Sequence, residues 1–354
     1  MQIPIILVGL GNIGGTLLRQ ILETREVQDK RTGMPLMPIA VADVSGALID
    51  LDGLPDETLE AAQAATADGG LLNAMEGIRP LDELHGTLRP GAILADMTAT
   101  PKTVPTLRAA LNAECGVVLA NKIPLAGSWK QAQLLLDHPN LRYECTVGAG
   151  LPVIDTLHYL LDTGDQVTTI EGCLSGTLGY LCAELERGTP YSKAVAQARE
   201  LGYTEPDPRD DLSGKDVARK ALILARTAGW PLEEDNLAIE PMYDDALAKL
   251  SIDEFLETAQ TMDRQVARRV AQAKSAGQVL RYVARVSPTG GTVGLTAVDR
   301  DGPLGALRGP ANYVALYTSR YDQLPLAISG PGAGPQVTAA GVMGDVIKLA
   351  RHMR

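Results

Sequence analysis

The sequence is poor in aromatic residues and in cysteine. The first shortage limits which residues can pack the core, and the second limits which metal sites the chain can form. Its 354 residues include only ten tyrosines, two tryptophans and one phenylalanine, so Ala, Leu, Val and Ile must pack most of the core. The four cysteines, at positions 115, 145, 173 and 182, form neither a C-x-x-C pair nor a cluster with histidine at zinc-ligand spacing. We therefore expect buried thiols in a reducing compartment, without a zinc site.

Positive charge and long apolar runs are also scarce. Lys and Arg number 32 against 43 Asp and Glu, which gives a formal net charge of −11, and no basic cluster is interleaved with aromatic residues. This balance argues against nucleic acid or an anionic membrane as a partner. No apolar run approaches the roughly 20 residues that cross a bilayer, and the chain enters a strand without a basic leader. We expect a cytoplasmic protein that acts on a small molecule.

Alternating apolar runs and helical patterns predict an α/β fold of two domains. Residues 3–8 form a continuous apolar run ended by glycine, which is typical of a buried parallel strand. Further strands are predicted at 38–42, 92–96 and 117–120. We predict a Rossmann-type, doubly wound dinucleotide-binding domain over 1–142, completed by 330–354, and an α+β domain over 143–329.

In the second domain the patterns mix helices with strands. The predicted helices are 153–161, 178–185, 192–201, 215–228 and 252–276, and the predicted strands are 167–174, 279–286 and 292–298. A last amphipathic helix, 336–350, has no evident partner nearby in the sequence. We expect it to return to the nucleotide-binding domain.

A glycine turn follows the first strand and precedes a helical pattern. In Gly9-Leu10-Gly11-Asn12-Ile13-Gly14, Gly9 permits a tight turn, Gly11 lets the backbone approach a pyrophosphate, and Gly14 lets helix and strand pack closely. The phosphates would then lie on the N–H groups of the first helix. The alternative is a purely structural turn, but the strand–turn–helix context favours dinucleotide binding.

An aspartate ends the second predicted strand. A carboxylate at Asp43 could accept hydrogen bonds from ribose hydroxyls and would repel a 2′-phosphate. No Lys or Arg follows before Arg79, so the sequence favours NAD over NADP. The alternative is a loop aspartate that faces solvent.

Thr98 and Lys122 each follow an apolar strand. Ligands of open α/β folds bind at the carboxyl ends of strands, so both side chains could lie near the nicotinamide or the substrate. Taken alone, each could be an ordinary loop residue, and the neighbouring Asn121 could be a helix cap.

The segment 202–220 has the highest density of charged residues and precedes a predicted helix. In the structural interpretation, Ser213 caps the helix, Asp216 completes a capping box, and Asp216 and Lys220 form an i,i+4 ion pair. Helical periodicity instead places Asp216 and Lys220 at the border of the core. A lysine held there could exchange a proton with a substrate alcohol, and the carboxylates could hold a substrate ammonium.

Five stretches, in order along nearly the whole chain, resemble the homoserine dehydrogenase family. They are 120–126, 143–152, 174–178, 202–220 and 332–342. The likeness is strongest to the dehydrogenase portion of fused aspartokinase–homoserine dehydrogenases and to the fungal enzymes. It implies interconversion of L-homoserine and L-aspartate 4-semialdehyde with NAD or NADP, in threonine, methionine and isoleucine biosynthesis. The alternatives are a related NAD(P)-dependent dehydrogenase of another small hydroxy or amino acid, and a non-catalytic dinucleotide sensor.

The resemblance also implies roles for individual residues. Lys220 would exchange a proton with the substrate hydroxyl, and Lys122 would be a second catalytic lysine near the cofactor. Substrate binding is implied for Glu205, Asp216, Asp211, Thr177 and Tyr203. Cofactor binding is implied for Gly9, Gly11, Asn12, Ile13, Gly14, Thr98, Lys122, Gly202 and Gly334, in addition to Asp43. Sodium binding through oxygen ligands is implied for Glu144, Val147, Ala149 and Leu151.

The family fold implies a dimer. Its dimerisation region corresponds to residues 141–150 and 285–330, so we expect a homodimer or a dimer of dimers, with substrate binding and catalysis in the same second domain. Because the sequence ends at Arg354, we expect no appended regulatory domain and no feedback inhibition through one.

Overall fold

The structure, a computed structural model, describes residues 2–353. The chain divides into two compact units, the first ending at Gly150 and resuming at Gly334, and the second spanning Leu151–Ala333. The first unit thus extends to Gly150 rather than to residue 142, and the second to Ala333 rather than 329. The backbone N–H of Glu144 donates to Asp345 at 2.9 Å, which ties the added segment to the last helix.

The first unit contains a six-stranded sheet. Its strands are β1 (Ile3–Val8), β2 (Leu36–Asp43), β3 (Gly46–Ile49), β4 (Ile93–Asp96), β5 (Gly116–Leu119) and β6 (Leu141–Arg142). Its helices before residue 150 are α1 (Asn12–Thr32), α2 (Asp56–Ala65), α3 (Val104–Asn112), α4 (Ile123–Ala126) and α5 (Trp129–Leu136). The order β3-β2-β1-β4-β5-β6 is parallel except for β3, which runs antiparallel to β2. This is the Rossmann-type sheet that the sequence predicts.

The second unit contains another six-stranded sheet, which is mostly antiparallel. Its strands are β7 (Val167–Cys173), β8 (Leu237–Ile239), β9 (Gln278–Ser287), β10 (Gly290–Asp299), β11 (Ala311–Thr318) and β12 (Leu326–Pro331). Its helices are α6 (Val153–Asp162), α7 (Gly176–Arg187), α8 (Tyr191–Glu200), α9 (Pro208–Leu212), α10 (Lys215–Thr227), α11 (Ile252–Thr258) and α12 (Asp263–Ser275). The order is β12-β11-β7-β9-β10-β8, with only β8 parallel to its neighbour. The predicted α+β class is confirmed.

The last helix, α13 (Pro335–His352), belongs to the first unit. It packs against α1 and β5, and Val342, Val346 and Leu349 enter the same core as Leu17. The expected return of this helix to the nucleotide-binding unit is confirmed.

Several elements differ from the predictions. The predicted helix 252–276 is interrupted by the 3₁₀ turn Ala259–Met262, which separates α11 from α12. Strands β11 and β12 are absent from the prediction, as are the short strands β3, β6 and β8. β12 lies at the sheet edge, exposes every second residue and ends in Gly330-Pro331, features that weaken a strand pattern in sequence.

Two expectations from composition can be compared with the structure. All four cysteines are free and buried. Within residues 2–353, no helix combines the length and the apolar character needed to cross a membrane.

Candidate active site

The glycine turn after β1 opens onto a cavity in the first unit. Gly9 adopts a φ of 92°, and a side chain at Gly14 would overlap the carbonyl oxygen of Gly9, so α1 packs directly on the turn. The cavity has a volume of about 710 Å³ and is lined by Gly9, Gly11, Asn12, Asp43 and Thr98, among others. The first turn of α1 carries no acidic residue. Its exposed N–H groups therefore suit an anionic ligand such as a pyrophosphate.

Ile13 does not line this cavity. It lies in the first turn of α1, and its side chain packs against the core of the first unit, which fixes the start of the helix. Gly14, likewise, contributes close packing rather than cavity surface.

Asp43 is fixed at the end of β2 by three hydrogen bonds. Its Oδ1 accepts from the backbone N–H of Ser45 at 2.7 Å and from the Ser45 hydroxyl at 2.6 Å. Its Oδ2 accepts from the backbone N–H of Leu72 at 2.7 Å. Each carboxylate oxygen has two acceptor sites, so Oδ2 keeps one for a ligand in the cavity. Among residues 2–353, no arginine lines the cavity, and its basic side chains are Lys102 and His85.

A buried Asp96–Asn121 pair organises the ends of β4 and β5. Asp96 is fully buried, and its Oδ1 accepts from the backbone N–H of Thr98 at 2.9 Å. The Asn121 amide donates to Asp96 Oδ2 and to Thr98 Oγ1, both at 3.1 Å. Asn121 Oδ1 also accepts from the N–H of Ile123 at 3.1 Å, but the N-cap of α4 is Lys122, so Asn121 is not the helix cap. Asp96 is not among the predicted site residues. The signal available in the sequence is a carboxylate at the end of an apolar strand.

The remaining predicted cofactor residues lie outside this cavity. Lys122 directly follows Asn121 at the start of α4 and is half-buried. Gly202 forms a left-handed turn after α8, in the second unit. Gly334 precedes α13, where the chain re-enters the first unit.

In the second unit, Lys220 lies at the border of the core, as the helical period of α10 predicts. Its Nζ donates to the carbonyl oxygen of Leu174 at 2.7 Å and pairs with Asp216 Oδ2 at 2.8 Å. The Lys220 side chain is 12% exposed and that of Asp216 is 43% exposed. An almost buried amine is thereby held between a backbone carbonyl and a carboxylate that solvent or a ligand can reach.

The predicted substrate residues Thr177, Tyr203, Glu205 and Asp211 come together beside α7. Thr177 Oγ1 lies 2.6 Å from the carbonyl oxygen of Tyr203 and 3.1 Å from Asp211 Oδ1. The backbone N–H of Glu205 donates to Asp211 Oδ2 at 2.8 Å, which leaves the Glu205 carboxylate on the surface. Burial raises the pKa of Asp211, and the hydrogen bonds from Glu205 and Thr177 oppose that rise. The partly buried Asp211 therefore stabilises the segment that places the Glu205 carboxylate on the surface.

The same segment is anchored by Arg209, which sequence reasoning did not single out. Its Nε and Nη2 donate to Asp207 at 2.9 Å and 2.7 Å, and its Nη1 donates to the carbonyl of Ala248 at 3.2 Å. The guanidinium lies 5.4 Å from the centre of the Phe255 ring. The hydrogen bond from Arg209 lowers the pKa of Asp207 below its ordinary value. These contacts fix the proline-rich turn to α11 and the segment before it.

The predicted capping box at the start of α10 is wrong. The N-cap is Gly214, in a left-handed conformation with φ 71°, and no side chain caps the helix. The Ser213 hydroxyl donates to the carbonyl of Asp210 at 2.8 Å. Asp216 pairs instead with Lys220, so the ion pair of the structural interpretation is present.

The residues implied for sodium lie on one stretch of chain. Glu144 begins the 3₁₀ turn Glu144–Thr146 and is 4% exposed, and Ala149 adopts a φ of 57°, unusual for a residue with a side chain. Val147 is buried between them, and Leu151 is the first residue of the second unit. Burial raises the pKa of the neighbouring Asp345 to about 7. Among residues 2–353, no cluster of three or more His, Cys, Asp and Glu side chains could hold a metal ion.

Comparison with known proteins decides the family. The sequence model described as homoserine dehydrogenase matches residues 152–347. A curated homoserine dehydrogenase from Emericella nidulans is 36% identical over 378 aligned residues, which cover 100% of both chains. The chain belongs to the homoserine dehydrogenase family. Membership favours this family over the two alternatives left open by the sequence, a dehydrogenase of another small hydroxy or amino acid and a dinucleotide sensor.

Two further relatives extend the comparison. The chain is similar to a chloroplastic bifunctional aspartokinase/homoserine dehydrogenase of Zea mays, 38% identical over 359 residues that cover 98% of this chain and 38% of that protein. The chain thus spans about two fifths of the length of such bifunctional relatives. It also resembles a solved hyperthermophilic archaeal homoserine dehydrogenase in complex with NADPH, with a TM-score of 0.77, 25% identity, and coverage of 99% and 98%.

Proposed function

We propose that this chain interconverts L-homoserine and L-aspartate 4-semialdehyde with a nicotinamide coenzyme, as a step of amino-acid biosynthesis. The observation that carries the proposal is the position of Lys220. Its amine lies 2.7 Å from the Leu174 carbonyl and 2.8 Å from Asp216, with 12% of the side chain exposed. A primary amine held in this way can exchange a proton with an alcohol.

In homoserine oxidation, Lys220 in its neutral form takes the hydroxyl proton as the C4–H bond breaks. The bound coenzyme supplies the hydride acceptor. In the reverse direction the Lys220 ammonium returns a proton to the oxygen of the reduced aldehyde. Oxidation releases one proton overall, so alkaline pH favours oxidation and a pH nearer neutrality favours reduction.

Acidic groups near Lys220 would hold the substrate. The carboxylates of Glu205 and Asp216 bind the homoserine ammonium, and Asp211 fixes Glu205 through its backbone N–H. Thr177 and Tyr203 belong to the same proposed substrate site, since the Thr177 hydroxyl contacts both the Tyr203 carbonyl and the Asp211 carboxylate. An ammonium group in contact with two carboxylates forms charge-assisted hydrogen bonds, which are stronger than neutral ones.

Coenzyme binding is assigned to the cavity beside the glycine turn. Gly9, Gly11 and Asn12 hold the pyrophosphate, with Ile13 and Gly14 supporting the turn. Asp43 accepts from the ribose hydroxyls and disfavours a 2′-phosphate, so we assign a preference for NAD over NADP. By family resemblance, Thr98, Lys122, Gly202 and Gly334 also contact the coenzyme, and Lys122 assists catalysis.

We further propose a sodium ion at the turn that begins at Glu144. Glu144 and Asp345 are both buried carboxyls, and Asp345 accepts from the Glu144 N–H at 2.9 Å, so two acidic groups lie close together away from solvent. A hard monovalent cation would offset that charge and prefers oxygen ligands. Glu144 and the backbone carbonyls of Val147, Ala149 and Leu151 would hold it.

We further propose a homodimer or a dimer of dimers, working in the cytoplasm. Leu324, within the region 285–330 that the family uses for dimerisation, is 81% exposed, and Tyr317 on β11 is only half-buried. A second copy of the chain would cover them, and sedimentation velocity would give the assembled mass.

The proposed cytoplasmic location rests on the cysteines. Four free thiols suit a reducing compartment.

Steady-state assays test the proposal. Homoserine oxidation is followed with NAD and with NADP, and aspartate 4-semialdehyde reduction with NADH and NADPH, each with sodium and with an equal concentration of tetramethylammonium. We expect turnover in both directions, faster with NAD(H). Absence of turnover with every combination, in a folded protein, would contradict the proposed function.

A further inference from the structure

Among the described residues, two side chains of the second unit, Asn312 and Tyr191, have buried polar atoms without a hydrogen-bond partner. Asn312 on β11 is fully buried, and neither its Oδ1 nor its Nδ2 has a partner within residues 2–353. A carboxamide carries two donors and an acceptor with two sites, so its burial without partners is unfavourable. Such a group calls for an explanation beyond packing.

Asn312 lies near the residue that accepts the hydrogen bond of the proposed catalytic lysine. Tyr313 of β11 pairs with Cys173 of β7. Because the two strands are antiparallel, Asn312 and Leu174 are the next residues beyond that pair. Leu174 is the residue whose carbonyl oxygen accepts the Lys220 hydrogen bond. On the other side of β11, Asn312 pairs with Gly330 of β12.

The carboxamide packs directly on the glycine segment that follows β12. A Cβ atom at Gly332 would overlap the Cγ, Nδ2 and Oδ1 atoms of Asn312, so only glycine fits there. Within residues 2–353, the N–H groups of Gly332 and Ala333 donate no hydrogen bond. The buried N–H of Gly332 and the Asn312 carboxamide, neither with a hydrogen-bond partner among the described residues, therefore lie side by side, two residues before Gly334, which we assign to the coenzyme.

We propose that Asn312 is a positioning residue of the dehydrogenase reaction. When coenzyme and homoserine are bound, its carboxamide hydrogen-bonds the backbone of Gly332 and Ala333 and thereby fixes the segment that leads to Gly334. This inference rests on the proposed function. It also explains why the group is retained in the core despite its cost: the hydrogen bonds are made in the liganded enzyme.

Two substitutions separate a positioning role from a structural one. Asn312→Leu has nearly the same branched shape without polar atoms, and it should raise the thermal midpoint of the free protein by about 2–4 °C. The same variant should lower kcat about tenfold with little change in the KM for homoserine, because the segment that leads to Gly334 is then no longer held in the reacting geometry, whereas the side chains that bind homoserine are unchanged. The matched control is Tyr191→Phe, since the Tyr191 hydroxyl is buried and also without a partner. It should preserve kcat.

A pH profile adds a second readout. Asn312→Asp places a carboxyl in the same apolar site, where burial favours its protonated form. That form keeps one donor and one acceptor, whereas the ionised form has acceptors only. The kcat of this variant, relative to the unsubstituted enzyme, should therefore rise as the pH is lowered from 8 to 6.

Each opposite result overturns the positioning role. A lower thermal midpoint in Asn312→Leu would mean that the carboxamide has structural partners in the free protein. An unchanged kcat in Asn312→Leu, or a flat relative pH profile in Asn312→Asp, would mean that it does not act in the reaction. These outcomes are distinct from failure of the proposed function, which would appear as inactivity of the unsubstituted enzyme.

Discussion

The Nζ atom of Lys220 donates a hydrogen bond to the carbonyl oxygen of Leu174 at 2.7 Å. A backbone carbonyl can only accept, so this contact orients the amine without exchanging a proton with it. An ammonium has three donors, and Asp216 takes a second. The third position is left for a substrate oxygen. When the amine is neutral, its two N–H groups still serve both partners, and the lone pair points to that third position.

Removal of this amine should abolish turnover while leaving the coenzyme site intact. In Lys220→Ala we expect kcat to fall by about 10²–10⁴-fold, the range of general acid–base catalysis. The dissociation constant of NADH, followed by its fluorescence, should change less than about twofold, because the coenzyme phosphates bind on the first unit. The control is Lys215→Ala, an exposed lysine on the same helix, which should retain normal turnover. Near-normal turnover in Lys220→Ala would remove the assigned role.

The anchored carboxylate of Asp43 should set coenzyme preference. We expect the unsubstituted enzyme to favour NAD over NADP in kcat/KM by at least about tenfold, since a 2′-phosphate would meet this charge. Asp43→Asn keeps the shape and should narrow that ratio about tenfold. Asp52→Asn, at an exposed loop position outside the cavity, serves as the control. An equal ratio in all three proteins would show that Asp43 does not select the coenzyme.

The Asp207–Arg209 pair should contribute pH-dependent stability. The folded pKa of Asp207 is lowered, so its contribution is present above the ordinary value of 3.8 and is lost as the pH falls through the folded value. At pH 7 we expect Asp207→Asn to cost about 1–2 kcal/mol, typical of a hydrogen bond to a charged group. The difference from the unsubstituted protein should shrink as the pH is lowered from about 5 toward 3.

Urea unfolding at several pH values measures this difference. Asp210→Asn, a neighbouring exposed carboxyl, is the control and should be close to neutral throughout. A constant difference between Asp207→Asn and the unsubstituted protein over that pH range would contradict the proposed linkage.

A bound sodium ion should stabilise the folded chain by mass action. The thermal midpoint should rise with sodium chloride when compared with tetramethylammonium chloride at equal ionic strength. Glu144→Gln removes one proposed ligand and should abolish most of that difference. Identical midpoints in the two salts would argue against the ion, whatever the effect of the substitution.

The sequence predicts those parts of the site whose residues are close along the chain. Gly9 to Gly14 form the turn after β1 and the start of α1 in one continuous stretch, and Asp216 and Lys220 share a helix face at a spacing of four, so local geometry determines their placement. The Asp96–Asn121 pair depends on two strands that are adjacent only in the folded sheet. No periodicity within either segment indicates that contact.

Two errors have similarly specific causes. Ser213 has the residue type of a helix cap, but the left-handed Gly214 is the N-cap of α10. The Ser213 hydroxyl donates to the carbonyl of Asp210 at 2.8 Å and accepts only a long hydrogen bond, 3.3 Å, from the N–H of Lys215. Strand β11 was missed because its run of small and apolar residues pairs with β7, which lies well over one hundred residues earlier in the chain. Long-range pairing of this kind leaves no local signal.

Proton exchange between the Lys220 amine and the substrate hydroxyl is tested most directly by measuring homoserine oxidation in Lys220→Ala with increasing methylamine at constant ionic strength and pH. We expect the small primary amine to restore part of the lost rate in proportion to its unprotonated concentration, whereas Lys215→Ala should show no such response. A rate in Lys220→Ala that does not depend on methylamine would contradict it.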